Sequence, residues 1–264
     1  MKTAKKMTCG NMQVRIYDSK GAVGVAAAED LARILQTAIE EDGEASVILA
    51  TGNSQLSFME ALRYKRDIAW DKVTVFHMDE YIGMPEDHPA SFRRYIRQKL
   101  TDVVRPRVFY GIEGDAEDLQ AEMERYAALL EEHDPVACVL GIGENGHLAF
   151  NDPPADFDTD DMIQVVELAE AARRQQVGEG YFDTLEDVPT TAVTLTVPAL
   201  LEPPHVLAVV PEKRKAPAVK EALEAPITEE CPASILRTRD YVTLYLDQDS
   251  ASLLTQRDQC SKED

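Results

Sequence analysis

Short apolar runs alternate along this chain with longer stretches in which apolar residues recur at helical spacing. The predicted strands are Val14–Tyr17, Ser46–Ala50, Val73–Met78, Ala137–Gly141, Thr191–Thr196, Val206–Val210 and Tyr241–Leu246. The predicted helices are Ala22–Glu41, Leu56–Arg66, Ala90–Leu100, Ala116–Glu132 and Lys213–Leu223. Several strand runs are nearly continuous in apolar residues, as expected of strands covered on both faces. The pattern predicts an α/β fold with an open, mostly parallel, Rossmann-like sheet flanked by helices on both faces.

The domain organisation is predicted to be simple. No internal repeat or low-complexity segment interrupts the pattern, and the proline-containing joints are too short to link separate domains. We expect one domain over residues 12–255. The polar ends, residues 1–11 and 256–264, are predicted to be mobile tails.

An excess of acidic residues narrows the choice of partners. The 264 residues include 27 Lys and Arg against 48 Asp and Glu, a formal charge of −21. Such a field repels phosphate backbones and anionic lipids, so we expect no nucleic-acid or membrane partner. A phosphorylated small molecule would need a site with concentrated cations and backbone amides. A homo-oligomer is compatible with this composition.

Cysteine usage and apolar run length point to the cytoplasm. No two cysteines have the CxxC spacing, and no histidine lies at zinc-finger spacing from them, so neither structural zinc nor a disulfide framework is expected. No run of about 18 apolar residues is present, and no apolar segment follows the lysines near the start. The sequence therefore predicts a soluble cytoplasmic protein without a leader.

The first candidate for chemistry is the turn after the predicted strand Ser46–Ala50. Ligands of open α/β sheets bind beyond the carboxyl ends of the strands. Here a segment with Gly52, Asn53 and Ser54 precedes a helix, whose first amides and dipole could bind a phosphate. The turn matches neither a Walker loop nor a dinucleotide fingerprint. The alternative is a structural turn capped by Asn or Ser.

The second candidate follows the predicted strand Val73–Met78. Asp79 and Glu80 would be partly desolvated at this sheet edge, which can raise the pKa of a carboxyl toward that of a working base. Alternatively, one carboxylate caps the next turn and the other is solvated. We expect His77 to be a packed histidine and His88 to be an ordinary surface residue.

The third candidate is the densest polar segment of the chain, the glycine-rich loop Gly141–Pro153. Its glycines let the backbone approach a ligand closely. Asn145, Asn151 and Asp152 flank His147 and could set its tautomer and raise its basicity. We predict a catalytic role for His147, against the alternative of a core or surface histidine.

Clustered cations form a fourth candidate. Lys213, Arg214 and Lys215 follow the predicted strand Val206–Val210, where a helix begins. Cations are electrostatically unfavourable at a helix start unless an anion binds there. Arg173 and Arg174 are a second possible anion contact. The alternative for both groups is a solvated basic surface.

Three motifs together resemble a known family. They are Met78-Asp-Glu-Tyr81, Gly141-Ile-Gly-Glu-Asn-Gly-His-Leu-Ala-Phe-Asn-Asp-Pro153, and Lys215-Ala216 after a strand. They resemble the glucosamine-6-phosphate deaminase/isomerase family of the 6-phosphogluconolactonase-like superfamily. The lactonases share a Gly-x-Gly-x-x-Gly-His loop but typically continue with a Ser-Leu-Phe-Pro-like segment, unlike Ala149–Pro153 here.

The resemblance implies a reaction and roles for individual residues. The family converts glucosamine 6-phosphate to fructose 6-phosphate and ammonia without a metal or organic cofactor. By resemblance, Asp79 is the base that moves a proton between C2 and C1, and His147 opens the sugar ring. Asn145 and Asp152 orient His147. The phosphate would be held by Gly52, Asn53, Ser54 and Lys215.

The sequence departs from the family pattern at both ends of the expected site. Asp152 replaces the usual, longer Glu. Gly178-Glu-Gly-Tyr-Phe182 stands where many members carry an arginine that contacts the phosphate. Arg173 or Arg174 would have to substitute for that arginine, and we name Arg174 as the phosphate contact.

Two other functions remain open from the sequence. A 6-phosphogluconolactonase-type hydrolase would use His147 as a base for water and would need no acceptor for a C2 proton. A non-catalytic sugar-phosphate sensor, resembling the effector domains of some transcription regulators, would need a helical DNA-binding module. We expect no such module before the first strand of this acidic chain.

Overall fold

An eight-stranded sheet forms the centre of the computed structural model, which describes residues 5–255. The strands of the chain are β1 (Lys5–Cys9), β2 (Met12–Tyr17), β3 (Ala45–Leu49), β4 (Val73–His77), β5 (Asp79–Tyr81), β6 (Val108–Tyr110), β7 (Ala137–Leu140), β8 (Ile163–Glu167), β9 (Thr191–Leu195), β10 (Val206–Val210) and β11 (Val242–Asp247). The central sheet has the order β1-β2-β11-β10-β7-β3-β4-β6. Only its β1–β2 pair is antiparallel. The predicted mostly parallel sheet is confirmed.

Helices connect these strands. They are α1 (Lys20–Asp42), α2 (Leu56–Arg63), α3 (Phe92–Ile96), α4 (Asp102–Val104), α5 (Leu119–His133), α6 (Glu170–Gly178), α7 (Val197–Leu201) and α8 (Ala216–Glu224). Local sequence determines the ends of α1: the Ser19 hydroxyl accepts the Ala22 N–H at its start, and Gly43, with φ 85°, ends it. No helix within residues 5–255 is long and apolar enough to span a membrane.

Strand residues alternate between two apolar layers, one on each face of the central sheet. Val47 and Leu49 of β3 pack in the layer that contains α1 and α2, whereas Ile48 packs in the layer with α5 and α8. Because successive strand side chains point to opposite faces, both faces must be apolar to be covered. This explains the nearly continuous apolar runs and confirms helices on both faces of a single α/β domain.

The order of the strands creates a crevice at the carboxyl ends of β3 and β7. From β3 the chain crosses through α2 to β4 on one side, whereas β10, which follows β7 in the same sheet, pairs on the other side. Neighbouring strands whose connections leave in opposite directions form a topological switch point, where ligands of open α/β sheets bind. The candidate site is therefore expected beyond Leu49 and Leu140.

A second sheet covers this edge. It is antiparallel, has the order β5-β9-β8, and pairs Asp79 of β5 with Thr194 of β9. The predicted strand Thr191–Thr196 thus exists but lies outside the central sheet. Its residues are nearly all buried, as in a parallel strand, because Val193 and Leu195 pack in the apolar layer of the central sheet, whereas Ala192 packs in a small cluster with Tyr81.

Several sequence-based boundaries need correction. Residues 5–9 were placed in a mobile tail but form β1, an edge strand whose alternate side chains Met7 and Cys9 are buried. An edge strand with one solvated face is rich in polar residues and therefore resembles a tail. The predicted helix Ala90–Leu100 is interrupted by a π-helical turn, Arg97–Thr101. The short elements β6, β8, α6 and α7 were not predicted. Residues 1–4 and 256–264 lie outside the described part.

Candidate active site

A cleft lies at the switch point, and the turns that follow four parallel strands form it. Its walls come from the segments after β3, β4, β7 and β10, closed on one side by α6 and the turn behind it. Five of the site residues predicted from the sequence line this cleft: Gly52, Ser54, Asp79, His147 and Lys215. The fold thus brings together residues that are up to 163 positions apart, from Gly52 to Lys215.

Asp79 lies on the floor of the cleft as a carboxylate without donors. It is the first residue of β5, it is 6% exposed, and no described residue donates a hydrogen bond to its side chain. Burial, and secondarily the negative charge of Glu80, raise the pKa of Asp79 well above its ordinary value. A desolvated carboxylate with a raised pKa is suited to accept a proton from carbon.

Glu80 has the opposite environment, although it is the next residue. Its side chain points away from the cleft and accepts the N–H groups of Phe92 and Arg93, at 3.1 and 3.0 Å, and the Ser91 hydroxyl at 2.9 Å. These bonds anchor the first turn of α3 to β5. Burial still raises the pKa of Glu80, against the lowering effect of those donors. Glu80 therefore positions the strand that presents Asp79.

His147 is held by an aspartate in the loop after β7. Its Nδ1 lies 3.1 Å from Asp152 Oδ1, which also accepts the Asn145 side-chain amide at 2.9 Å. Asp152 Oδ2 accepts the Ala169 N–H at 3.0 Å. Burial alone would raise the pKa of Asp152, but these hydrogen bonds, that from His147 first, outweigh burial and lower it. The ionised carboxylate favours a proton on Nδ1 and leaves Nε2 for a ligand.

Gly143 makes room for the His147 ring. A Cβ atom at this glycine would lie 2.2 Å from His147 Nε2 and 2.3 Å from Cδ2, closer than real Cβ contacts. The Gly143 N–H also donates to the His147 carbonyl at 2.9 Å. Asn151, in contrast, donates to the carbonyls of Leu148 and Leu195, so it anchors the loop and does not orient the imidazole.

The opposite end of the cleft offers cations and backbone amides. Gly52 has φ 95°, which an L side chain rarely adopts, and this turn leads into the helical segment that begins at Asn53. Lys215 enters from the turn after β10 and is 2% exposed. No acceptor in the described residues bonds its ammonium group. Burial first, and the neighbouring Arg214 second, lower the pKa of Lys215 to about 8.

The two arginines considered as phosphate contacts do not line the cleft. Arg174 is exposed on α6 and pairs with Glu170, so the prediction that it contacts the phosphate finds no support. Arg173 donates to the carbonyls of Leu185 and Val188. The α6 residues that line the cleft are Gln175 and Gln176, which the sequence could not show because α6 was not predicted.

Asn53, also predicted to hold the phosphate, lies in the turn after β3 with its N–H bonded to Glu179.

His77 and His88, the other two histidines considered in the sequence, behave as predicted or nearly so. His77 is fully buried, and its Nε2 accepts the Ile112 N–H at 2.8 Å, so it is a packed histidine. Burial, followed by the charge of Arg93, lowers the pKa of His77 to about 3. His88 is half-buried: its ring stacks on Phe182 and its Nδ1 accepts the Ala90 N–H.

Glu179 is the site residue that sequence reasoning missed. It lies in the turn after α6, lines the cleft, and pairs with Arg214 at 2.9 Å. Arg214 was noted only as one cation of a run. One feature of the sequence could have pointed to Glu179: it departs from the family pattern, because an acidic residue occupies the segment in which the family often carries an arginine. Within residues 5–255 no group of His, Cys, Asp or Glu is arranged to hold a metal ion.

Comparisons with known proteins agree with this geometry. The family model for glucosamine-6-phosphate isomerases and 6-phosphogluconolactonases matches residues 18–245. A glucosamine-6-phosphate deaminase of Exiguobacterium sibiricum is 38% identical over 236 residues, which are 88% of this chain and 92% of that protein. A protein of the same name from Streptococcus uberis is 36% identical over 80% of this chain and 88% of its own length.

Solved structures show the same fold. A monomeric glucosamine-6-phosphate deaminase superposes with a TM-score of 0.83 and 29% identity, covering 91% of this chain and 99% of that one. A 6-phosphogluconolactonase from Shewanella baltica superposes with a TM-score of 0.73 over 93% of this chain and 99% of its own. At 20% identity, this second likeness concerns the fold alone.

Proposed function

Because this chain belongs to the family of glucosamine-6-phosphate isomerases and 6-phosphogluconolactonases, we propose that it is an enzyme converting glucosamine 6-phosphate to fructose 6-phosphate and ammonia. The observation that carries the choice within the family is Asp79. A desolvated carboxylate without donors faces the same cleft as the His147–Asp152 pair. An isomerase needs such a proton acceptor, whereas a lactonase needs only a base for water.

The first proposed step is ring opening by His147. With Nδ1 bonded to Asp152, Nε2 can take the proton of the C1 hydroxyl and return a proton to the ring oxygen. Asn145 supports Asp152 from the other side. Asp152, although shorter than the family's usual Glu, reaches His147, and its two oxygens together accept three hydrogen bonds.

The second step is proton transfer by Asp79. The open-chain substrate carries an aldehyde at C1 and an amine at C2, so its C2 proton is acidic. Asp79 removes that proton, the C1 oxygen receives one, and Asp79 then returns its proton to C1. An imine remains at C2, and water adds to it to release ammonia and leave the ketose. At the far end, Gly52, Ser54 and Lys215 would hold the phosphate throughout.

Substrate assays test this proposal. Purified protein is incubated with glucosamine 6-phosphate and, separately, with 6-phosphogluconolactone, while ammonia release and lactone loss are measured. We expect ammonia release, together with exchange of the C2 hydrogen in D₂O. Lactone loss without C2 exchange would replace the proposal by the hydrolase alternative.

The variant Asp79→Asn tests the assigned base. We expect turnover to fall by about 10²–10⁴, the usual contribution of a positioned general base, because the amide preserves shape but cannot accept a proton. The matched control is Asp71→Asn, an exposed aspartate just before the opposite end of β4, which should keep wild-type turnover. Turnover of Asp79→Asn within about tenfold of wild type would remove Asp79 from this role.

Two further expectations stay predictions. We propose that the enzyme acts in the cytoplasm, where free sugar phosphates are metabolised. A homo-oligomer, which the sequence allows, is the second of these predictions. The similar deaminase of known structure is a monomer.

A further inference from the structure

An internal carboxylate lies among the anion-binding groups at the Lys215 end of the cleft. Glu179, whose side chain is 3% exposed, accepts the Asn53 N–H at 3.0 Å through Oε2. Its Oε1 accepts the Arg214 guanidinium at 2.9 Å and the Gln175 side-chain amide at 3.0 Å. A backbone N–H at a helix start, a guanidinium and an amide are donors that commonly bind an anion.

The position of this carboxylate coincides with the expected phosphate site. Glu179 Oε2 would lie 3.5 Å from a Cβ atom on Gly52, the residue that opens the phosphate turn. Glu179 and Lys215 line the same cleft, and no described residue accepts a hydrogen bond from the Lys215 ammonium. A buried ammonium without an acceptor needs an anion to offset its desolvation. The carboxylate lies near it but does not pair with it.

A substrate phosphate and the Glu179 carboxylate cannot share this space. A phosphate monoester carries a charge of about −1.5 to −2 at neutral pH. Two anions within about 4 Å repel each other by several kcal/mol at the effective dielectric of a protein surface. Binding of the phosphate therefore requires that the carboxylate leave its three donors.

Arg214 would remain in place after that exchange. Its Nε donates to Glu212 at 2.7 Å, and its Nη1 donates to Glu144 at 2.9 Å as well as to Glu179. Glu212 is also paired with Lys20. These contacts hold the guanidinium beside the phosphate turn independently of Glu179. When the Glu179 carboxylate leaves, the Arg214 guanidinium is already oriented, and its Nη1 can donate to the phosphate instead.

The exchange concerns the side chain of Glu179. Glycines stand on both sides of the residue, and a side chain at either Gly178 or Gly180 would meet nothing within 4 Å. The backbone of the turn is held: the Glu179 N–H donates to the Gln175 carbonyl at 2.9 Å, and the Asn53 side-chain amide donates to the Glu179 carbonyl at 3.1 Å. The segment that follows is anchored separately, because Phe182 and Val188 pack with Tyr81 in a small apolar cluster. The exchange therefore moves the Glu179 carboxylate and leaves the turn in place.

We propose that Glu179 is an internal competitor for the phosphate subsite, and that Arg214 is the second phosphate-binding cation, transferred from Glu179 to the substrate on binding. The proposal rests on the proposed function in taking a phosphorylated substrate. It assigns to Arg214, in the turn after β10, the contact that Arg173 and Arg174 do not make. The affinity for substrate then depends on how strongly the Glu179 carboxylate and the substrate phosphate compete for the same donors.

Inorganic phosphate is the probe that tests this exchange without turnover. We expect Glu179→Gln, which keeps the size of the side chain but removes its charge, to bind phosphate about tenfold more tightly than wild type in calorimetry. Arg214→Gln should bind phosphate about tenfold more weakly. The control Glu170→Gln removes an exposed carboxylate from α6, 64% exposed in its side chain, and should bind phosphate like wild type.

The outcomes separate this proposal from the function itself. Equal or weaker phosphate binding by Glu179→Gln would overturn the competitor role, and unchanged binding by Arg214→Gln would overturn the cation role. The KM for glucosamine 6-phosphate should move with the phosphate Kd in both variants. Tighter phosphate binding in Glu179→Gln combined with lactonase activity alone would support the exchange and refute the deaminase. Far-ultraviolet circular dichroism and Tm of each variant confirm that it is folded.

Discussion

One aspartate lines the cleft and another is bonded to its histidine, and their surroundings shift their pKa values in opposite directions. Asp79 stands at the start of a buried strand, next to the charge of Glu80, where none of residues 5–255 donates to its side chain, and its pKa is raised. Asp152 lies in a loop among three donors, and its pKa is lowered. The same side chain is thus suited to the proposed proton acceptor in one place and to an anion bonded to His147 in the other. Desolvation without donors raises the pKa of Asp79, whereas hydrogen bonds lower that of Asp152.

The same comparison separates two ways of perturbing the site. In the proposed mechanism Asp152 acts through the position of the imidazole, so its effect depends on the contacts around His147. Asp79, in the same mechanism, acts on the substrate itself through its protonation state. Perturbing the packing should therefore affect the Asp152 side most, whereas changing pH should affect the Asp79 side most.

Among changes of packing, the largest effect is expected for Gly143→Ala. The added methyl group would lie 2.2 Å from His147 Nε2, so the ring must move away from Asp152 or from the substrate. A displacement of about 1 Å can cost about 10² in rate, and we expect kcat/KM to fall at least that far. The control is Gly21→Ala in α1, far from the loop after β7 in the chain, where a methyl group meets nothing within 4 Å. If Gly143→Ala kept full activity with a wild-type Tm, the imidazole position would not limit the rate.

The pH profile should report Asp79. A base works when ionised, so activity is lost as pH falls through its folded-state pKa. Because burial and Glu80 raise that pKa, the acidic limb of kcat/KM should lie above the ordinary aspartate value of about 3.9. Below the inflection, the rate should drop about tenfold per pH unit. The residual activity of Asp79→Asn should lack this limb. A limb that persists there would belong to another group, such as the substrate phosphate.

The smallest effects are expected on thermal stability, where Asp79→Asn and Asp152→Asn should shift Tm in opposite directions. A raised folded pKa means that ionised Asp79 costs stability above its unfolded pKa, so Asp79→Asn should raise Tm at pH 7. A lowered folded pKa means that ionised Asp152 contributes stability above its unfolded pKa, so Asp152→Asn should lower Tm. Each change of about 1 kcal/mol shifts Tm by about 2–4 °C.

Calorimetry at two pH values checks the sign of both shifts. The gain in Asp79→Asn should disappear below about pH 4, where the unfolded carboxyl also becomes protonated. The loss in Asp152→Asn should diminish as pH falls further, through the lowered folded pKa. Shifts of the same sign in both variants at pH 7 would contradict the contrast between the two aspartates.

Local pattern was sufficient to predict the frame and two polar residues of the cleft. The strands β3, β4, β7, β10 and β11 were found within one or two residues, because strands covered on both faces leave continuous apolar runs. Asp79 and His147, which both line the cleft, were singled out because they follow such strands, and parallel strands bring their carboxyl ends to one edge. The predicted family is confirmed by the match over residues 18–245.

What the sequence by itself determined was the central sheet, the family and the identity of the polar residues at its carboxyl edge, since all of these depend on residues close together in the chain. Only the tertiary structure decided that β1 pairs at the edge, that Asp79 lacks donors while Asp152 has three, and that Arg214, not Arg174, stands beside the phosphate turn. Each of these depends on segments far apart in sequence, such as Glu179 and Asn53. Burial and electrostatics act through space, so a residue's neighbours in the fold determine its pKa and its partners.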